Sequence, residues 1–235
     1  MPLEPAVIAQ LKAVSTATLT TVLLKKGLRR VAMRGPRPFG PASGARIVGR
    51  AFTLRFVPAR EDLATPESWS SARSTRSAIE LMGAGDVVVV DAMGATGAGI
   101  LGDILCARMK KRGLAGLVTD GALRDGDGVA AVGLPVWCAG LAAPPSIAEL
   151  TFVGWGEPIG CGGVCVMPGD IVVADGDGAV VIPAAELAAV VAEASEQERL
   201  EAWIMKEVER GAALPGLYPA SPETRARYQV EQGRK

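Results

Sequence analysis

Hydrophobic and polar positions alternate in blocks along this chain, and the blocks change period. Residues 86–93, "DVVVVDAM", form a continuous apolar run of strand length, as expected of a strand covered on both faces. "LAGLVTD" (114–120) is a second such run and "LPVWCAG" (134–140) a third. Between the first two lies "GDILCARMKKRG" (102–113), an amphipathic helix closed by Gly113. This strand–helix–strand alternation predicts an α/β fold with parallel strands.

The flanks read differently. Residues 4–13 and 16–27 have helical periodicity, with Pro5 near the first start and Ser15 or Thr16 placed to cap the second. "RGPRPFGPASG" (34–44) is a connector, and "ARIVGRAFTLRFV" (45–57) alternates as a strand does. Residues 65–85 open on Thr65-Pro66-Glu67 and predict a helix ending at Gly83. Residues 150–183 hold several short strands broken by Gly, Asp and Pro, the pattern of antiparallel hairpins or a small barrel-like layer. Residues 184–211 predict a long helix, and the polar, Pro-containing end predicts an arm or loose tail. The expected organisation is one domain over 1–235. Its core spans about 28–185, with N-terminal helices at 4–27 and a C-terminal helix and arm at 184–235.

Composition narrows the chemistry. Apolar residues make up 49 % and aromatics only 4 %, so the core must be aliphatic. The formal net charge is zero, which argues against a nucleic-acid partner. No apolar run has the length of a membrane span and no signal pattern opens the chain, so no membrane is expected and a cytoplasmic location is the simplest reading. Cys106, Cys138, Cys161 and Cys165 form no CxxC pair and read as buried, reduced thiols. There is no histidine, which removes Ser-His-Asp and Cys-His catalysis and histidine-bound zinc. A metal here would be hard and oxygen-ligated, Mg²⁺ or Mn²⁺ first.

Two loops carry the remaining candidates. Residues 97–102 spell G-A-G-I-L-G, with Asp120 18 residues past Gly102. That approaches a dinucleotide-binding fingerprint, but Asp91 to Thr96 intervene between strand and first glycine, and no second mononucleotide-binding half follows. A glycine turn feeding a helix N-terminus suits any small anion, or simply lets strand and helix pack closely. Asp103 opens that helix, where an acid also complements the dipole. "GALRDGDG" (121–128) sets Arg124 beside Asp125 just past the next strand. Both loops follow strand carboxyl ends, where α/β sheets bind ligands, so Asp103, Arg124 and Asp125 are expected to converge on one anion. The alternative for Arg124 and Asp125 is a surface ion pair.

"GDVVVVDAMGATGAGILGDILCARMKKRGLAGLVTDGALRD" resembles the RraA-like, class II pyruvate aldolase family. That family includes 4-hydroxy-4-methyl-2-oxoglutarate aldolase, regulator of ribonuclease activity A, and proteins mislabelled as demethylmenaquinone methyltransferases. The specific signal is Asp103, twenty residues, then Arg124-Asp125, and the likeness spans roughly residues 10 to 212. The resemblance implies a swivelling β/β/α core, assembled as a trimer or hexamer with the active site between subunits. It implies Mg²⁺ or Mn²⁺ near Asp125, with Asp103 reaching it through water. It implies Arg124 on the ketone oxygen of a pyruvate unit, and backbone amides of Gly99, Ile100, Leu101 and Gly102 on its carboxylate. A glutamate of the neighbouring subunit's C-terminal helix completes such sites, and Glu198 and Glu201 are the candidates here. The chain departs from the family at "STATLTTVL" (15–23), where Thr21 stands in place of an Asp. Residues 63–77 also depart, and offer Arg73 or Arg76 for specificity.

The implied reaction is metal-dependent cleavage of a 4-hydroxy-2-oxo acid to pyruvate and a second carbonyl product. Oxaloacetate decarboxylation is the expected side activity. A Schiff-base aldolase needs a desolvated lysine, whereas Lys12, Lys25, Lys26, Lys110, Lys111 and Lys206 mostly stand in charged helical contexts. The rival from another class is a non-catalytic regulator of ribonuclease activity that acts by binding a protein.

Overall fold

A computed structural model describes residues 3–233. Helices α1 (Pro5–Lys12) and α2 (Thr16–Lys25) open the chain, with Pro5 in the first turn of α1. The Ser15 hydroxyl accepts from the Thr18 amide, satisfying one of the free N–H groups of the α2 start. The connector holds a short strand β1 (Arg37–Phe39) and a 3₁₀ turn at 41–44. Strand β2 (Ile47–Pro58) is followed by a 3₁₀ turn (Pro66–Ser70) and a five-residue helix α3 (Thr75–Ile79).

The long helix expected over 65–85 is therefore broken. Ser74 is extended and its hydroxyl accepts from the Ser77 amide, which caps a new helix instead of continuing an old one. The run of serines between Trp69 and Ser74 competes for backbone hydrogen bonds.

The α/β core follows as β3 (Val87–Asp91), α4 (Asp103–Lys111), β4 (Gly116–Thr119), β5 (Ala122–Leu123), α5 (Gly126–Val132), β6 (Val136–Cys138) and β7 (Gly140–Leu141). Next come β8 (Leu150–Trp155), β9 (Ile159–Cys161), β10 (Val164–Val166), β11 (Ile171–Asp175) and β12 (Gly178–Ile182). Helices α6 (Leu187–Glu209) and α7 (Pro222–Gly233) close the described chain.

The main sheet runs β1-β6-β4-β3-β2-β11-β12. β2, β3, β4 and β6 are parallel neighbours, as the apolar runs predict. β3 and β4 are buried along their whole length, between layers on either face. β2 is long enough to pair twice on its other edge. Its first half pairs antiparallel with β11 and its second half with β8, the latter ladder interrupted by a bulge at Arg55/Phe56. The short strands of 150–183 thus make two hairpins, β9/β10 and β11/β12, and the second joins the main sheet instead of forming a separate layer.

The core is aliphatic, as the composition requires. Leu54, Phe56, Val88, Val90, Leu101, Met109 and Leu117 pack on one face, with the α2–α6 side clustered around Leu19, Leu23, Val173 and Ile182. Each such side chain contributes about 1.5–3 kcal/mol by leaving water. The expected loose tail is instead structured. α7 folds back on α6, burying Leu200, Trp203, Ile204, Leu217 and Tyr228 together, and the Trp203 indole N–H donates to Glu231. No single helix among the described residues is long and apolar enough to cross a membrane.

Candidate active site

Past the carboxyl ends of β3 and β4, two loops zip together. Gly99 bridges Ala122 in parallel fashion, the Ile100 amide donates to the Ala122 carbonyl, and the Arg124 amide donates to the Leu101 carbonyl. Only glycine permits this approach, since a Cβ on Gly99 would lie 2.6 Å from the Arg124 Cβ and 2.7 Å from its amide nitrogen.

The zipped loops bring the predicted residues to one cleft of about 260 Å³. Gly99, Ile100, Leu101, Gly102, Asp103, Arg124 and Asp125 all line it. The Gly99 amide is taken by the Pro144 carbonyl and the Ile100 amide by Ala122. The Leu101 and Gly102 amides have no intramolecular acceptor among the described residues. They precede α4, so they stand at the positive end of its dipole.

Asp125 is the N-cap of α5 and sits in the left-handed region, φ 55° and ψ 45°. Aspartate tolerates that conformation better than most residues. The turn aims its carboxylate at Gly102 and Arg124. Arg124 Nε donates to Asp125 Oδ2 at 3.2 Å, with both side chains partly exposed. The surface ion pair weighed from sequence is therefore present, and it lies inside the cleft.

Two glycines leave room for the carboxylates. A Cβ on Gly102 would sit 2.5 Å from Asp125 Oδ2, and one on Gly128 would sit 2.6 Å from Asp103 Oδ2. Both acids thus occupy cradles that side chains would fill. No group of three or more His, Cys, Asp or Glu side chains suited to a metal gathers among the described residues. Two cradled carboxylates fit a hard divalent ion that keeps most of its waters, as Mg²⁺ does, and do not fit a cage built wholly from protein.

Trp69, Thr75, Arg76, Pro145 and Ser146 complete the lining of the cleft. Arg76 Cζ lies 5.4 Å from the centre of the Trp69 ring. Arg73, the other specificity candidate, turns away, donating to the Val153 carbonyl and pairing with Glu157 at 3.8 Å.

Glu198 and Glu201 do not reach the cleft of their own chain. Glu198 accepts from the Thr18 hydroxyl at 2.6 Å, and Glu201 from the Gln197 amide at 2.7 Å. Thr21 is exposed on α2 and bonds back to the Ala17 carbonyl. No described lysine lines the cleft. Lys26 pairs with Glu186 and Glu193, and Lys110 donates to the Val132 carbonyl.

Burial, joined by the Asp103 charge, pushes the Cys106 thiol up to about 12, which makes it an inert core group. Cys138 and Cys161 are likewise buried and raised. Cys165 departs from the expectation of buried thiols, since it is exposed on β10.

Sequence reasoning did not anticipate the structural role of two acids. Asp91 accepts from the Met93 and Gly160 amides, and Asp120 from the Ala92 and Gly162 amides. Together they clamp the β9/β10 hairpin to the strand ends. The Asp120 carboxylate is therefore spent on backbone, and the 97–102 glycines serve the loop zipper. The residues of the fingerprint thus carry structural roles in this fold.

Comparison with known proteins identifies the family. Residues 16–181 match the RraA-like family (aldolase/RraA), and the chain belongs to it. A Halalkalibacterium halodurans relative, provisionally named a 4-hydroxy-4-methyl-2-oxoglutarate aldolase, is 43% identical over 102 residues. That match covers 42% of this chain and 47% of the relative, so it spans about half the relative's length. A Burkholderia mallei protein with the same provisional name is 34% identical over 159 residues, 67% of this chain and 87% of that one. Among solved structures, Streptomyces coelicolor RraAS2, described as an unusual member of the RNase ES inhibitor RraA family, superposes with a TM-score of 0.77. It is 37% identical, covering 86% of this chain and 97% of that one.

Proposed function

We propose that the protein is a metal-dependent lyase that cleaves a 4-hydroxy-2-oxo acid to pyruvate and a second carbonyl product. The observation that carries this reading is the meeting of Asp103, Arg124, Asp125 and two free loop amides in one cleft with no histidine or lysine. The names of the aldolase relatives support the same class.

In this mechanism the Leu101 and Gly102 amides bind the carboxylate of the 2-oxo acid. Arg124 faces the C2 oxygen. Asp103, free of any ion pair among the described residues, takes the proton from the C4 hydroxyl. The C3–C4 bond breaks as the C4 carbonyl forms, and its electron pair becomes the enolate across C2 and C3. Protonation at C3 then gives pyruvate. A divalent cation, which Asp125 would hold with Asp103 reaching it through water, would supply Lewis-acid stabilisation of the enolate. Arg124 adds charge stabilisation worth about 3–4 kcal/mol. Oxaloacetate loses CO₂ through the same enolate and is the expected side substrate. A trimer or hexamer would bring Glu198 or Glu201 of a neighbouring subunit to the cleft.

The deciding experiment couples pyruvate release to lactate dehydrogenase, with 4-hydroxy-4-methyl-2-oxoglutarate and oxaloacetate as substrates. Release with MgCl₂ or MnCl₂ that EDTA abolishes, and that Arg124→Ala lowers by about 10²–10³, is the expected result. The likeness to a ribonuclease-inhibitor family favours one second reading, a regulator that acts by binding a protein. Metal-loaded protein that releases no pyruvate from either substrate supports that reading.

A further inference from the structure

Two arginines line the cleft, and the reaction above uses only one of them. Arg76, on α3, lines the same cleft as Arg124 and forms no ion pair among the described residues. Every other arginine of its neighbourhood is engaged. Arg73 pairs with Glu157, and Arg108 and Arg112 share Glu80. Arg76 is instead held over the Trp69 indole, which fixes a guanidinium without neutralising it. The break between the 3₁₀ turn and α3 puts the two side chains together, since an unbroken helix would carry Trp69 and Arg76 seven residues along one rod.

A 4-hydroxy-2-oxo acid seated by its carboxylate on the Leu101 and Gly102 amides places its far end in the rest of this cleft of about 260 Å³, where Arg76 is the remaining cation of the lining. We propose that Arg76, ordered by Trp69, is a specificity-determining residue that selects substrates whose second fragment bears a carboxylate. The inference rests on the cleft being the pyruvate-releasing site. A planar guanidinium with no ion-pair partner binds a carboxylate in a two-point fork, whereas a methyl end group offers it nothing to bind.

The test uses pairs of probes that differ only at the far end. 2-Oxoglutarate and 2-oxopentanoate share the proximal half and lack the hydroxyl, so they bind without being cleaved. Calorimetry on the Mg²⁺-loaded protein is expected to show 2-oxoglutarate binding more tightly, by about 10- to 100-fold, the worth of a hydrogen bond to a charged group. Arg76→Gln removes that preference, Arg76→Lys restores part of it, Trp69→Ala weakens it, and Arg73→Gln leaves it unchanged. In turnover, Arg76→Gln raises KM for 4-hydroxy-2-oxoglutarate with kcat little changed, and leaves 4-hydroxy-2-oxopentanoate unaffected. Equal binding of the two oxo acids by the wild type, or a parallel loss of both in Arg76→Gln, overturns the proposal. Retained binding preference without pyruvate release overturns the lyase assignment and leaves the subsite standing.

Discussion

Gly128 leaves the space that the Asp103 carboxylate occupies. A Cβ at Gly128 would stand 2.6 Å from Asp103 Oδ2 and 2.8 Å from its Cβ. Gly128 lies inside α5 with ordinary helical backbone, so nothing in its own conformation requires glycine. The requirement comes from the facing acid.

Gly128→Ala is therefore expected to separate stability from activity. Alanine favours a helix by about 1 kcal/mol over glycine, so the melting temperature changes little. The displaced Asp103 carboxylate costs the enzyme at least about tenfold in kcat/KM, because small misplacements of a reacting group cost that much or more. Steady-state pyruvate release beside a thermal melt checks both halves. An active, unshifted variant would mean that Asp103 takes no part.

At Asp125, charge and backbone are separable. Asn also tolerates the left-handed conformation, so Asp125→Asn is expected to fold and to lose divalent-ion dependence along with most of its activity. Asp125→Ala adds a backbone penalty of about 1 kcal/mol. Mg²⁺ titration of the two variants, followed by calorimetry and by urea unfolding, distinguishes the effects.

Arg124 is positioned by its own loop, with its amide bonded to the Leu101 carbonyl. Arg124→Ala is expected to lower kcat by about 10²–10³, the usual worth of one oxyanion donor. Arg124→Lys keeps the charge and loses the fork, so it recovers only part. Full activity in Arg124→Ala would remove this residue from the chemistry.

Asp175 ties α2 to β11. It accepts from the Thr16 hydroxyl at 2.6 Å and amide at 2.9 Å, from the Asp177 amide, and from Arg46 Nε at 3.2 Å. Burial alone raises its pKa, but these donors outweigh burial and hold the carboxyl below its ordinary value. Its stabilisation is thus present above the unfolded value of about 3.9 and is lost as pH falls through the lower folded one. Asp175→Asn is expected to be less stable than wild type by about 1–3 kcal/mol at neutral pH. At acid pH, as the pH falls through that lower folded value, the gap closes. Urea unfolding at both pH values measures it, and a constant gap contradicts the assignment.

The legible parts of this chain were those where one physical signal dominates. The buried runs at 86–93 and 114–120 are strands because no polar face interrupts them, and the loops that follow them hold the candidate site. Asp103, Arg124 and Asp125 meet as the sequence suggested, because adjacent parallel strands deliver their carboxyl ends to one edge. The break at Ser74 was hidden because serine serves equally as a cap and as a helix surface residue. α7 was hidden because its polar sequence becomes a helix only by covering Trp203, a tertiary contact with no local signature. The Asp91 and Asp120 clamps were hidden for the same reason, their partners lying 69 and 42 residues away at Gly160 and Gly162.

The double pairing of β2 also dictates an order of assembly. Its Ile47–Arg50 half must wait for Ile171–Ala174, more than a hundred residues later in synthesis, before its second edge is covered. Until then a hydrophobic strand emerges from the ribosome with one side open. Contacts this distant in sequence slow folding and lengthen exposure to aggregation. The nascent chain is therefore a natural client for chaperones up to the moment β11 appears, and truncations upstream of Ile171 should be recovered as aggregates and not as smaller folded proteins.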